Sequence, residues 1–205
     1  MSREINAQTG SLKTRESQIG TVNRGKTYDM AYIAVFTVLI VICSWISIPT
    51  AIPFSLQTFA VFLSVSILGG KRGTLAVVVY VLLGAVGVPV FAEFTGGIGI
   101  IMGETGGYIV GFIFSALVMW LTERILGRKL WAQGIAMVLG LIVCYTFGTA
   151  WFMFVYMRNS GAVGLSTVLG WCVIPYIVPD AVKIALALTL SNLLRKPLAG
   201  IIEQE

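Results

Sequence analysis

Histidine is absent from this chain, and charge of either sign is scarce: Asp, Glu, Lys and Arg together make up 11% of its 205 residues. Soluble domains carry about 25% charged residues. Set beside 57% hydrophobic residues, the deficit excludes an ordinary water-soluble domain and argues for a polytopic membrane protein. With no histidine and no CxxC, a zinc or haem site is not expected. Cys43, Cys144 and Cys172 lie far apart in apolar segments and read as buried free thiols. The first 26 residues lack an apolar h-region, so no cleaved signal peptide is expected and the first apolar helix would serve as an uncleaved anchor. The run GGIGIIMGETGG (96–107) has no lysine before a Ser or Thr and follows no soluble strand. It is therefore neither a P-loop nor a dinucleotide fingerprint. No nucleophile–base pattern marks an enzyme.

What the chain does have is long apolar runs. Residues 28–48, 55–68, 74–88, 106–126, 131–156 and 171–194 predict an all-α integral membrane protein of six transmembrane helices. The membrane domain covers residues 28–196, between a polar tail at 1–27, set aside from fold reasoning, and a short tail at 197–205. The first run, 21 residues at 1.5 Å each, spans roughly 31 Å, one hydrocarbon thickness. Its Ala31, Ala34 and Thr37 form either a close-packing stripe or ordinary internal contacts. The second and third runs fall short of the usual span of about 20 residues. They either recruit flanking residues or are broken helices around a cavity. GGKRG (69–73) between them reads as a tight basic turn.

The net charge of +5 does not point to nucleic acid, because the basic residues sit in short segments between spans. With the amino terminus inside, the inner segments hold twelve of the fourteen Lys and Arg residues, the outer loops only Arg158, and Lys183 lies in a span. That asymmetry predicts both termini on the cytoplasmic side.

Four features are candidates for chemistry. PYIVPDAVK (175–183) places Asp180 and Lys183 three residues apart, on one face of a helix. Charges at membrane depth are costly. The pair is either an internal ion pair that fixes packing or a binding site, with Lys183 holding a ligand carboxylate and Asp180 accepting N–H donors. Pro175 and Pro179 predict a segment that stays irregular up to Pro179, with a helix start just beyond it adding further donors. In IPFSLQT (52–58), Gln57 and Thr58 can meet a ligand, or Ser55 can simply cap the helix. Residues 89–105 form a long Gly-rich loop with apolar residues, expected to pack down on the helices like a lid. Gly103, Gly107 and Gly111 make a double GxxxG ridge for close helix approach. In the fifth run Tyr145, Phe147, Trp151, Phe152, Phe154 and Tyr156 form either an interfacial belt or a stacking wall for a bound ring.

These residues carry a family resemblance. IPFSLQT (52–58), GGKRG (69–73), YVLLGAVGVPVF (80–91), Gly96-Gly97, GETGGY (103–108) and PYIVPDAVK (175–183) occur in that order from about residue 28 to the end of the last span. In them the chain resembles the BioY family, the biotin-specific substrate-binding (S) components of energy-coupling factor (ECF) transporters. The resemblance implies a six-helix membrane subunit of an ATP-driven vitamin importer that captures biotin near the outer face of a prokaryotic cell membrane. It implies a transmembrane coupling protein and two ABC-type ATPases as partners, and biotin as cargo with no cofactor. The family's Asp and Lys fall on Asp180 and Lys183, one expected at the ureido N–H groups and the other at the carboxylate, in either order. Gln57, Tyr108, Glu93, Gly97, Trp151 and Tyr176 are expected to complete the site. The rival readings are an S component for a different carboxylate-bearing vitamin and a membrane-embedded enzyme.

Overall fold

A computed structural model describes residues 27–49 and 53–202. The polar tail at 1–26, residues 50–52 of the break between the first two spans, and residues 203–205 lie outside the described residues. The described chain is almost entirely helical. Four helical stretches are long and apolar enough to cross a membrane: Thr27–Trp45, Gly106–Leu126, Leu130–Ser160 and Leu165–Leu194.

Helix α1 (Thr27–Trp45) leads into a short antiparallel ribbon, β1 (Ser47–Ile48) and β2 (Phe54–Ser55), in which Ile48 faces Phe54. Backbone pairing thus joins the described residues on the two sides of the expected break. Helix α2 (Gln57–Leu68) has only 12 residues, about 18 Å. Ten of them are buried, as expected of a helix apolar on every side. It lies inside the bundle against α8, α3 and α5, so it need not present a full lipid-spanning length.

Gly69 alone makes the turn that follows, at φ +84°, a conformation that costs glycine nothing. Helix α3 (Gly70–Ala85) starts immediately after it. The expected basic turn at 69–73 is therefore mostly helix. A two-helix hairpin needs only one left-handed residue here, and Lys71 and Arg72 belong to the first turn of α3. The third span does recruit flanking residues, reaching 16 residues.

The loop at 89–105 is more ordered than its glycine content suggests. It contains a 3-10 turn at Ala92–Phe94 and a short helix α4 (Ile98–Met102). Helices α5 (Gly106–Leu126) and α6 (Leu130–Ser160) follow and pack extensively on each other. Glycine makes that approach possible: a Cβ on Gly107 would sit 2.2 Å from Trp151 Cβ, and one on Gly148 2.3 Å from the Tyr108 ring. The ridge thus works through Gly107 and Gly111, while Gly103 precedes the helix and contributes its carbonyl. Side chains tie α1 to α3 and α3 to α5: Thr37 Oγ1 donates to the Ala76 carbonyl (3.2 Å) and Thr74 Oγ1 to that of Ala116 (3.3 Å).

The last span departs most from expectation. Helices α7 (Leu165–Cys172) and α8 (Ile174–Ile202) are separated by Val173 alone, at φ −125°, ψ −55°. Helix α8 runs unbroken through both prolines. Pro175 lies in the first turn, where an N–H has no intrahelical acceptor to lose. Pro179 withholds one hydrogen bond, the one the Pro175 carbonyl would accept, and the helix absorbs it. Asp180 and Lys183 therefore sit on the second and third turns of a regular helix, and the spare donors of its start lie a full turn away from them.

Candidate functional site

One end of the bundle holds a partly open cavity of about 220 Å³. Its walls come from β2 and the start of α2, the 91–105 loop, the first turns of α5, the middle of α6, the end of α7 and the first three turns of α8. The lining is mainly apolar and aromatic, with Phe54, Phe91, Tyr108, Phe112, Tyr145 and Tyr176 among its residues. A few polar groups interrupt it. That combination, an apolar cavity with few and convergent polar groups, is what small-molecule sites share.

The charged pair is the polar centre. Lys183 Nζ lies 2.8 Å from Asp180 Oδ1, and the residues are 5% and 3% exposed. The Tyr145 hydroxyl donates to the other carboxylate oxygen, Asp180 Oδ2. The ammonium also sits over the Phe54 ring, 4.2 Å from its centroid, where the ring quadrupole favours a cation. The β1–β2 ribbon and a stack on Tyr176, centroids 6.1 Å apart, hold that ring in place. The internal ion pair and the cavity-facing pair are thus one arrangement. A carboxylate oxygen has two lone pairs, so Asp180 keeps acceptor capacity after these two bonds, and the ammonium has three donors of which Asp180 uses one.

Gln57 Nε2 donates to the Tyr80 hydroxyl (2.7 Å), which fixes the amide at the cavity wall. Ser55 Oγ accepts from the Gln57 N–H (3.3 Å), but the N-cap of α2 is Leu56, so Ser55 braces the turn before the helix and is not the cap expected of it. Tyr108 and Thr149 share a hydroxyl hydrogen bond of 3.0 Å.

The loop over the cavity is anchored at several points. Trp45 Nε1 donates to the Pro89 carbonyl (3.0 Å) and stacks on Phe94 (4.9 Å). The Gly97 N–H donates to the Gly84 carbonyl (2.7 Å). The buried Phe91 ring fills the space at Gly84, where an added Cβ would lie 2.0 Å from it. Glu93 and Phe94 are held at φ +59° and +57°, a backbone state that costs a non-glycine residue on the order of 1 kcal/mol or more.

Of the eight residues expected at the site, Gln57, Glu93, Tyr108, Tyr176, Asp180 and Lys183 line the cavity. Gly97 and Trp151 do not. Gly97 is spent on the loop's tie to α3. Trp151 turns to the α5 side, packing on Gly107, stacking on Phe147 (6.4 Å) and donating to the Gly103 carbonyl (3.0 Å). The stacking wall expected from α6 reduces to Tyr145, since Phe152 and Tyr156 stack on each other (5.6 Å) and Phe154 is exposed. The sequence reading missed Tyr145 as Asp180's partner, and missed Phe54, Phe91 and Phe112. Phe54 and Phe91 fall inside the motifs IPFSLQT and YVLLGAVGVPVF, and Tyr145 inside the aromatic stretch of the fifth run, which are the hints the sequence held; Phe112 had none. The three thiols are free and buried, and Cys144 and Cys172 touch the cavity.

A helical membrane bundle with a concave, aromatic, charge-centred cavity at one end has the build of a membrane-embedded small-molecule-binding protein. Comparison with known proteins narrows this. The BioY family model matches residues 13–200. The biotin transporter BioY of Thermotoga maritima is 41% identical over 79% of this chain and 92% of its own. A probable biotin transporter BioY of Pyrococcus horikoshii is 36% identical over 83% of this chain and 98% of its own. A crystal structure of the S-component for biotin from an ECF-type ABC transporter superposes with a TM-score of 0.76 at 26% identity, covering 85% of this chain and 94% of that one. This chain belongs to the BioY family, and it is a multi-pass membrane protein.

Proposed function

We propose that this protein is the biotin-binding S component of an ECF-type vitamin importer, a transport protein and not an enzyme. The observation that carries the reading is the buried Asp180–Lys183 pair facing an aromatic cavity in a chain of this family. Biotin has an apolar bicycle, a ureido group and a valerate carboxylate. The aromatic walls suit the bicycle. Asp180, oriented by Tyr145, accepts from ureido N–H, and Lys183 donates its remaining N–H groups to the carboxylate or a neighbouring polar atom. Glu93 and the anchored loop line the outer side of the cavity.

The chain crosses the membrane six times, through α1, α2, α3, α5, α6 and the α7–α8 pair, with both termini in the cytoplasm of a prokaryote. The Lys and Arg count and the burial of the short α2 support this arrangement. The site then lies near the outer face of the plasma membrane. A transmembrane coupling protein and two ABC-type ATPases supply the energy, because this chain carries no nucleotide motif. Biotin itself is the cargo, and no cofactor is required.

Titration calorimetry of the purified protein against biotin and a panel of other carboxylate-bearing vitamins tests the reading. Biotin should bind tightest, and Lys183→Ala and Asp180→Asn should each weaken it at least about tenfold, roughly 1.4 kcal/mol. Preference for another vitamin would move the ligand assignment, and unchanged affinity in both folded variants would remove the pair from the site.

A further inference from the structure

The end of the bundle opposite the cavity holds a second cleft, of about 660 Å³, between the start of α1, the α2–α3 turn and the end of α5. The biotin reading makes no use of it. Its lining combines four cations with two carboxylates. Asp29 is paired with Arg72 at 2.6 Å, and Glu123 with Arg128 at 3.1 Å. Glu123 also accepts from the Gly70 N–H (2.7 Å). Both carboxylates are therefore neutralised within the cleft, and Lys71 and Arg124 supply its surplus positive charge. Both of these side chains belong to exposed residues. Arg124 lies over the Trp120 ring, 5.2 Å from its centroid, which orients the guanidinium without consuming its fork of N–H donors.

The remaining wall is apolar and open. Met30 and Leu75 are 68% and 43% exposed, on the surfaces of α1 and α3. A free inorganic anion has no use for such a wall, and an uncharged amphiphile has no use for the two cations. An anionic phospholipid matches both, with its phosphodiester between Lys71 and Arg124 and its acyl chains along Met30 and Leu75. Basic pockets between membrane helices bind lipid headgroups on this principle. We infer that the α1–α3–α5 cleft is a binding site for an anionic phospholipid, held by Lys71 and Arg124.

The test is native mass spectrometry of the full chain in detergent micelles, titrated with equal amounts of phosphatidylglycerol and phosphatidylcholine, with an arm of inorganic phosphate alone. Phosphatidylglycerol should be retained in preference by about tenfold or more, and phosphate should not displace it. In Lys71→Gln/Arg124→Gln, with far-UV circular dichroism and elution profile unchanged, the preference should fall close to parity. Lys71→Gln alone, a substitution at an exposed position, should give an intermediate value and serves if the double variant does not fold. Equal retention of the two lipids by the parent protein would overturn the inference, as would displacement by phosphate or an unchanged preference in the folded variants. Loss of co-purification with a coupling subunit without loss of lipid preference would also overturn it, by marking the cleft as a protein contact.

Discussion

Two ion pairs of similar length sit at opposite ends of this bundle. Asp180–Lys183 spans 2.8 Å within one helix, and Asp29–Arg72 spans 2.6 Å between α1 and α3. The first is about 5% exposed, the second 32–40%. Distance alone does not distinguish them; surroundings do. At the open end, each charge retains contact with a polar environment, so the attraction is screened and worth little. In the cavity both charges are nearly buried, and the loss is offset by mutual attraction, the Tyr145 hydroxyl and the face of Phe54. A pair maintained at that cost, with spare donors and acceptors turned to the cavity, is suited to exchanging partners with a ligand. The exposed pair is suited to holding two helix ends together.

The largest effect expected from this contrast comes from breaking the buried pair on one side only. Asp180→Ala leaves Lys183 buried without its carboxylate and should lower stability by about 3–5 kcal/mol, read as thermal unfolding of the detergent-solubilised protein. Asp180→Leu/Lys183→Met should recover most of that loss, because apolar residues of similar size replace buried ion pairs at little cost. Biotin affinity should stay at least about tenfold below that of the parent in the recovered protein. Recovery of binding together with stability would mean that the pair serves packing alone.

A smaller effect is expected at the next contact. Tyr145→Phe keeps the ring and removes only the donor to Asp180, a charge-assisted bond worth about 1.5–3 kcal/mol. Biotin affinity should fall by about tenfold or more, with the apolar packing of α6 intact. Calorimetry that shows full affinity would assign Tyr145 to the wall and not to the orientation of Asp180.

The smallest effect belongs to the other end. Arg72→Ala should change stability by less than about 1 kcal/mol and leave biotin affinity unaltered. A loss comparable to that of Asp180→Ala would erase the distinction between the two pairs.

How much of this was legible beforehand differs by feature. The fourth span at 106–126 coincides with α5, Gly106–Leu126, because Gly-rich loop and basic turn mark its two ends in the residues themselves. The third was expected to start four residues late, since GGKRG looks like a turn until one sees that Gly69 alone reverses the chain. The last, at 171–194, was expected to stay irregular up to Pro179, on the general rule that proline interrupts helices. Here the first proline falls in the opening turn and the second costs a single bond, so α8 continues.

Site residues divide along a similar line. Asp180, Lys183 and Gln57 stood out because polarity in an apolar run is conspicuous wherever it points. The aromatic residues did not divide into facing and non-facing sets. A soluble helix advertises its buried face by apolar periodicity. In a membrane both faces are apolar, one meeting lipid and the other protein, and that signal vanishes. Trp151 and Tyr145 are equivalent on the page of the sequence; in the structure one supports the α5 contact and the other meets Asp180.

The sequence by itself therefore determined that the chain lives in a membrane, where its long helices run, and that Asp180 and Lys183 share one face three residues apart. Those properties follow from hydropathy and from the helical repeat, which are local. Only the tertiary structure decided that the pair faces a cavity, that Tyr145 and Phe54 are its neighbours, and that Trp151 and Gly97 stand outside. Such choices depend on how helices of uniform apolarity rotate against one another. Close approach at Gly107 and Gly148, and the ring that fills the space at Gly84, settle that rotation through packing between segments distant in the chain.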